Sequence, residues 1–421
     1  MTERLLHYIW QFQYFKTGEL FTANGQVLQI ISQGNYNTNQ GPDFLNAKIR
    51  IGEELWAGSV ELHINSEDWK HHNHSLDKNY NNVILHVVWN HDTIIELPFP
   101  TLELKQLVSK ILLKKYEEIM QQRSFIPCES FLQNIEQLII LNWTERLLIE
   151  RLQQKALNIK LLLDKNNHQW EEVFWWMIAR NFGSPINSSN FENMAMSIPL
   201  NVISRHKGQL LQLEALLMGQ AGLLQQKFEE KYPVMLQKEF IFLKSKYKLA
   251  TVQFPVYFLR MRPANFPTIR LAQLAMLYSE HNQLFNLMKE TSSIKEAERL
   301  FNITANDYWH YHYVFDDLSN FKKKTLGKEM IRNLFINTII PMIYAFGYYN
   351  NKEVFKTKAL LWIEQLTSEK NNITKGFKSL GFKNASAFDS QALIQLKNEY
   401  CNQKKCLHCA IGNSILKKDS L

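Results

Sequence analysis
Between residues 26 and 97 apolar and polar side chains tend to alternate, whereas beyond residue 125 the apolar positions recur every three or four residues almost to the end. The alternating part predicts strands over Gln26 to Ser32, Phe44 to Ile51, Leu55 to Ile64, Val83 to Trp89 and Thr93 to Leu97, separated by Gly, Asn and Asp clusters that turn the chain. Ahead of them Glu3 to Phe15 has helical spacing, with Leu5, Leu6, Ile9, Trp10 and Phe12 along it and Thr2 placed as its N-cap. Ser66 is placed to open a short helix through Glu67, Asp68, Trp69 and Lys70. The predicted order is helix, three strands, helix, strand.

The later part predicts helices over Gln133 to Leu163, Trp170 to Phe182, Leu210 to Phe228, Pro233 to Leu249, Pro267 to His281, Gly327 to Phe346, Glu353 to Thr367 and Ser386 to Tyr400. Pro233 and Pro267 stand at helix starts, where the missing N–H leaves nothing unpaired. Gly219 and Gly222 fall four and seven positions along a helical run and are read as close helix packing. The run lacks the preceding strand and Gly-Lys-Ser/Thr ending of a phosphate loop. The fold class is therefore α+β: a mixed α/β domain over residues 1–125, a helical domain over 126–320 and a basic helical region over 321–421.

Composition changes this picture little, and charge changes it in one place. The chain has 421 residues, 45% hydrophobic and 21% charged, which describes a globular protein of more than one domain. The net charge of +8 is uneven: residues 1–124 carry 11 Lys/Arg against 14 Asp/Glu, residues 320–421 carry 17 against 7. A polyanion such as nucleic acid is the expected partner of that basic end, and a solvated lysine-rich surface is the plainer alternative. The N-terminus, with Glu and His in its apolar stretch, does not read as a signal peptide. The longest apolar run, Leu334 to Tyr349, holds Asn337, Pro341 and Gly347 and reads as a buried helix. The expectation is a cytoplasmic protein without a membrane partner, with the oligomeric state left open.

Candidate chemistry concentrates near the N-terminus. Pro42-Asp43 heads one expected strand and Glu61-Leu62-His63 lies in the next. Strand alternation puts Glu61 and His63 on one face, and the short Ile51 to Leu55 connection implies a hairpin that brings Asp43 alongside. The residues and element order over Glu3 to about Trp89 resemble the core of the PD-(D/E)xK nuclease superfamily. That resemblance implies a metal-dependent nucleic-acid phosphodiesterase in which Asp43 and Glu61 hold Mg²⁺ or Mn²⁺. His63 stands where the superfamily carries lysine, and would orient or deprotonate water without lysine's permanent charge. The alternative is a non-catalytic scaffold for nucleic acid or protein, with a degenerate core and a structural metal. His63, His71, His72, His74, His86 and His91 lie within thirty residues, so Mn²⁺ or Zn²⁺ held among Asp43, Glu61, His63 and His86 is a competing version of the same site.

Two further groups carry chemistry. Cys401, Cys406 and Cys409 are clustered, and with Cys128, the fourth cysteine of the chain, they make a set suited to Zn²⁺ or a [4Fe–4S] cluster. His408 is an alternative ligand. Arg260, Arg262 and Arg270 surround a Pro-punctuated turn that opens a helix, where a bound phosphate would suit the helix dipole. The Tyr308 to Tyr313 aromatic run could stack bases. The plainer reading pairs the arginines with acids such as Glu214 and buries the aromatics. Over its whole length the chain resembles the bacterial family called domain of unknown function 2851. The resemblance is carried by Gly41-Pro-Asp-Phe, Gly58 to His63, Val83 to Val88, Gly219 to Leu224, Arg262 to Pro267 and the C-terminal cysteines. It implies no activity.

Overall fold
The computed structural model describes residues 1–250 and 256–417; the last four positions of the expected 321–421 region lie outside the described residues. The fold is α+β, as the change of period implies. Its two compact units divide the chain differently from the sequence reading. One comprises Met1–Glu145 with Ser379–Gly381 and Ile394–Leu421, the other Arg146–Lys378 with Phe382–Leu393. The cysteine-bearing C-terminus thus belongs with the N-terminal sheet rather than to a third domain. Hydrogen bonds across nearly the whole chain hold it there, including Tyr14 Oη to Asn413 Oδ1 at 2.9 Å and Lys397 Nζ to the Phe125 carbonyl at 2.6 Å.

In the first unit, α1 (Glu3–Gln11) buries Leu5, Leu6, Tyr8, Ile9 and Trp10, and the Thr2 hydroxyl accepts the Leu5 N–H at its start. Seven strands follow: β1 (Leu20–Phe21), β2 (Val27–Ser32), β3 (Asn35–Tyr36), β4 (Phe44–Ile51), β5 (Glu54–Asn65), β6 (Val83–Asn90) and β7 (Thr101–Glu103). They form one sheet in the order β1-β2-β4-β5-β6-β7, with β3 paired to β4. β2, β4 and β5 run antiparallel, and β6 and β7 continue in parallel. The crossover to β6 passes through α2 (Asp68–His71), whose Trp69 is buried against Val83 and Phe99.

Two expectations fail locally. Thr93 to Leu97 is not a strand; Ile94 is 86% exposed there, and the ladder resumes only after Pro98 and Pro100, whose rings cannot donate to it. The Pro100 carbonyl instead accepts the His86 N–H at 3.0 Å and delivers Thr101 to the edge of β6. Ser66 does not cap α2, because its hydroxyl is engaged with His91 Nδ1 at 2.7 Å and the helix begins two residues later.

Two register shifts in β5 decide which side chains meet. Along β4 the pairing passes from Ala47↔Gly58 to Phe44↔Val60, so Leu45 and Asn46 together oppose Ser59, with Asn46 at φ +60°. Without that bulge Asp43 would oppose Leu62 and point to the other face; with it Asp43 opposes Glu61. Between β5 and β6 the pairing passes from Ser59↔Val83 to Val60↔Leu85, which brings His86 opposite Glu61. Gly58 makes room beside this second shift: a Cβ there would lie 2.4 Å from the Asn82 carbonyl oxygen and 2.5 Å from Ile84 Cγ2. Asn tolerates the left-handed conformation, whereas a β-branched residue does not. Asn46→Val is expected to cost about 1–3 kcal/mol in urea unfolding and Asn46→Gly to be near neutral.

The second unit is helical. After α3 (Lys110–Gln121) of the first unit, α4 (Gln137–Asp164) carries the chain from the first unit into the second and leads into α5 (Trp170–Phe182), and further helices include Leu210–Gln220, Lys231–Tyr247 and Pro267–Glu280. Gly219 is where helices pack closely, since a Cβ would lie 2.1 Å from the Phe240 ring. Gly222 has a different role from the one expected: at φ +78° it ends the helix, with Leu223 N–H bonded to the Met218 carbonyl, and this stops the expected Leu210 to Phe228 helix at Gln220. The helical stretch Lys328–Tyr349 is the one candidate membrane span among the described residues by length and composition; 72% of its apolar window is buried inside protein.

Candidate metal centre
Asp43 and Glu61 brace each other's strands. The Asp43 N–H donates to Glu61 Oε2 at 3.0 Å and the Leu62 N–H donates to Asp43 Oδ2 at 3.0 Å, while His7 Nε2 from α1 reaches the same Asp43 oxygen at 3.1 Å. One oxygen of each carboxylate is therefore occupied by the scaffold. Glu61 Oε1 faces the histidines instead, 3.3 Å from His74 Nε2 and 3.7 Å from His63 Nε2.

Around His63 the imidazoles gather. Its Nε2 lies 3.2 Å from His72 Nδ1 and 3.3 Å from His74 Nε2, and its Nδ1 lies 2.9 Å from His86 Nε2. Among the described residues, His63, His72 and His74 are the one set of three or more potential ligands whose ligating atoms all lie within 4.8 Å of one another. A ring nitrogen has one in-plane lone pair or one hydrogen, so His63 Nε2 can serve one of its two imidazole neighbours well. A cation at the centre would serve them all. Ligands at about 2.0–2.1 Å from Zn²⁺ on a regular tetrahedron stand about 3.3–3.4 Å apart, close to the 3.2 and 3.3 Å from His63 Nε2 to His72 and His74 and to the 3.3 Å from Glu61 Oε1 to His74, while Glu61 stands outside the set that holds His72.

Burial sets the protonation. Glu61 is pushed up to about 9 by burial and by the neighbouring Asp43 charge, so the metal-free site holds a protonated carboxyl. Burial and then the surrounding histidines push His63 down to about 2, burial pushes His86 down to about 4, and His74 is lowered for the same first reason. The buried imidazoles are neutral, which is the ligating form. His63 and His86 are almost fully buried, His74 is half-buried and His72 is exposed, so the set opens to solvent at His72.

The loop that carries His72 and His74 is fixed by aromatics. Tyr80 stacks on His74 with ring centres 3.9 Å apart, Trp69 sets its edge against His63, His74 and His86, and Trp69 Nε1 donates to Ser75 Oγ at 2.9 Å. His86, expected as a ligand, sits behind His63: its Nε2 meets His63 Nδ1 and its Nδ1 is buried without a partner. That is the position of a residue that fixes the tautomer of a ligating histidine. His7 was not legible as part of the site. His72 and His74 were visible only as part of a histidine-rich segment.

The donor set, three nitrogens and one oxygen, suits Zn²⁺ and tolerates Mn²⁺, whereas Mg²⁺ prefers oxygen throughout. The remaining candidates divide. Arg260 and Arg262 are exposed, while Arg270 donates to Gln273 Oε1 at 2.9 Å and Asn265 Oδ1 at 2.6 Å and braces its own turn. Glu214, the suggested partner, is buried and bonded to Tyr232 Oη and Trp309 Nε1 instead. Trp309, His310 and His312 are buried, so that part of the aromatic run fills the interior. Cys128, Cys401, Cys406 and Cys409 are all buried free thiols of the first unit.

The family model described as protein of unknown function (DUF2851) matches residues 3–372. The chain belongs to this family. In this DUF2851 protein the matched span contains the whole carboxylate–histidine cluster and Cys128, but stops short of Cys401, Cys406 and Cys409, so the C-terminal cysteines do not carry the family match. No curated protein and no solved structure gives a significant match.

Proposed function
We propose that this protein is a metal-dependent hydrolase of phosphodiesters in nucleic acid, its divalent cation held by Glu61, His63, His72 and His74. The observation that carries the reading is the convergence of three imidazole nitrogens within 4.8 Å of one another, with Glu61 Oε1 3.3 Å from His74 Nε2 and 3.7 Å from His63 Nε2 and a second carboxylate, Asp43, behind it. The net charge of +8 suits a polyanionic substrate. A bound Zn²⁺ or Mn²⁺ that takes a fifth ligand on the solvent side, at His72, would supply Lewis acidity toward a phosphoryl oxygen and make a water taken up there acidic near neutral pH. His86 keeps His63 presenting Nε2, His7 and the Leu62 N–H hold Asp43 in place, and the remaining Asp43 oxygen accepts the proton that the attacking water gives up.

The test is to load the purified chain with Zn²⁺ or Mn²⁺ and assay single- and double-stranded DNA and RNA together with a small phosphodiester. Metal-dependent cleavage supports the reading. Stoichiometric metal without turnover on any of these substrates supports the scaffold alternative, which the four-ligand set also suits because closed tetrahedral sites are commonly structural.

The protonation pattern gives an independent check. Because Glu61 keeps its proton up to about 9 while His63 and His86 are neutral, Zn²⁺ binding near pH 7 is expected to release about one proton from Glu61. Calorimetric titrations in buffers of different ionisation enthalpy measure that number. In chelator, stability is expected to fall on both sides. As pH rises from the ordinary carboxylate range through about 9 the fold must ionise a buried Glu61; as pH falls below about 6.5 the unfolded histidines take up protons that the folded ones refuse. Bound Zn²⁺ removes the alkaline loss, which urea denaturation against pH will show.

A further inference from the structure
We infer that Cys128, Cys401, Cys406 and Cys409 form a four-thiolate cage for a [4Fe–4S] cluster within the first unit. The cysteines come from two places some 270 residues apart in sequence, and all four are buried, between 6% and 9% exposed. The structure invests heavily in bringing them together. Lys397 reaches the Phe125 carbonyl and lies over the Phe125 ring, Lys404 Nζ donates to the Met120 carbonyl, and Tyr400 packs edge-on against Trp143 with ring centres 5.2 Å apart. Gly412 lets the last helix, Ala410–Lys417, sit against the Cys406 turn; a Cβ there would lie 2.2 Å from the Cys406 carbonyl oxygen.

Cys409 immediately precedes the helix, and the Ile411 and Gly412 N–H groups at its start oppose the upward push of burial on this thiol. Such donors stabilise a negative sulfur and do little for a neutral one. Burial nevertheless raises all four, Cys128 to about 12 and Cys406 to about 11, and each of the six cysteine pairs repels when ionised. Positive charge at the centre would resolve both penalties together.

Spacing chooses the group. A single Zn²⁺ with Zn–S bonds of about 2.3 Å draws four sulfurs to about 3.8 Å from one another. Here no three of the four sulfurs lie within 4.8 Å of one another, since the histidine set is the one group of described residues that does. Every pair is near enough to repel when ionised, so the four sulfurs share one neighbourhood without the close approach a single Zn²⁺ imposes, which leaves room for a larger group, a four-iron cluster, among them.

The full chain is to be purified without oxygen, its visible spectrum recorded, and its iron, acid-labile sulfide and zinc measured. A brown protein with about four iron and four sulfide per chain supports the cluster. Cys401→Ser and Cys406→Ser are then expected to bleach the visible band more than tenfold. One zinc per chain with no iron, or anaerobic protein with no metal at all, overturns the proposal. The wild-type measurement stands even if a cysteine variant fails to fold. Glu61→Gln leaves the cluster in place, so failure here and failure of the hydrolase reading are distinguishable.

Discussion
Glu61→Gln lowers metal affinity by at least about 100-fold while leaving the fold intact. The amide keeps the shape of the side chain, so one end still accepts the Asp43 N–H that Glu61 Oε2 accepts. The other end, now an NH₂, donates to the His63 and His74 nitrogens that face Glu61 Oε1. What is lost is the anionic ligand, and removal of groups that merely support a ligand already costs about 10–100-fold in affinity. The variant also lacks the buried ionisation, so its alkaline stability in chelator should exceed that of the native chain. Zinc titration and urea unfolding at pH 9 measure both effects. Native-like zinc affinity in this variant would remove Glu61 from the ligand set.

Asp43 separates support from chemistry. Asp43→Ala leaves the Leu62 N–H and His7 Nε2 without their acceptor, at about 1–3 kcal/mol for each group that stays buried. Asp43→Asn can still accept the Leu62 N–H, and it removes the charge that helps hold Glu61 protonated. Zinc binding by Asp43→Asn should therefore persist to lower pH than in the native chain, while phosphodiester cleavage falls by about 10²–10⁴-fold through loss of the proton acceptor. Full cleavage activity in Asp43→Asn would show that the acid is only a brace. Loss of zinc binding would show instead that it is a ligand.

The elements were largely legible because their periodicity is strong: β4 and α5 begin and end where the apolar pattern says they should. Thr93 to Leu97 misled because β-rich composition says nothing about pairing, and an unpaired run next to Pro98 stays a loop. The Leu210 helix overran because Gly222 resembles a packing glycine until its φ is known. At the site, Glu61 and His63 followed from alternation alone, which holds within one strand. His7, His72 and His74 come from a helix and a loop, where side-chain direction depends on how the segments cross the sheet. The cysteine set was legible as a composition, but its membership in the N-terminal unit was not, because no pattern in residues 394–421 states what they pack against.

By itself the sequence determined the two structural regimes, the order of the longer elements α1, β2, β4, β5, α2 and β6 but not the two-residue strands β1 and β3, and a pool of carboxylates, histidines and thiols able to hold metal. The tertiary structure decided which of them meet. Straight alternation along β4 points Asp43 away from Glu61, and a regular parallel pairing points His86 away as well; a one-residue shift at Asn46 and another beside Gly58 turn both toward Glu61. A side-chain period of two makes each such shift reverse a face, and a shift exists only between two strands, so one strand's sequence does not contain it.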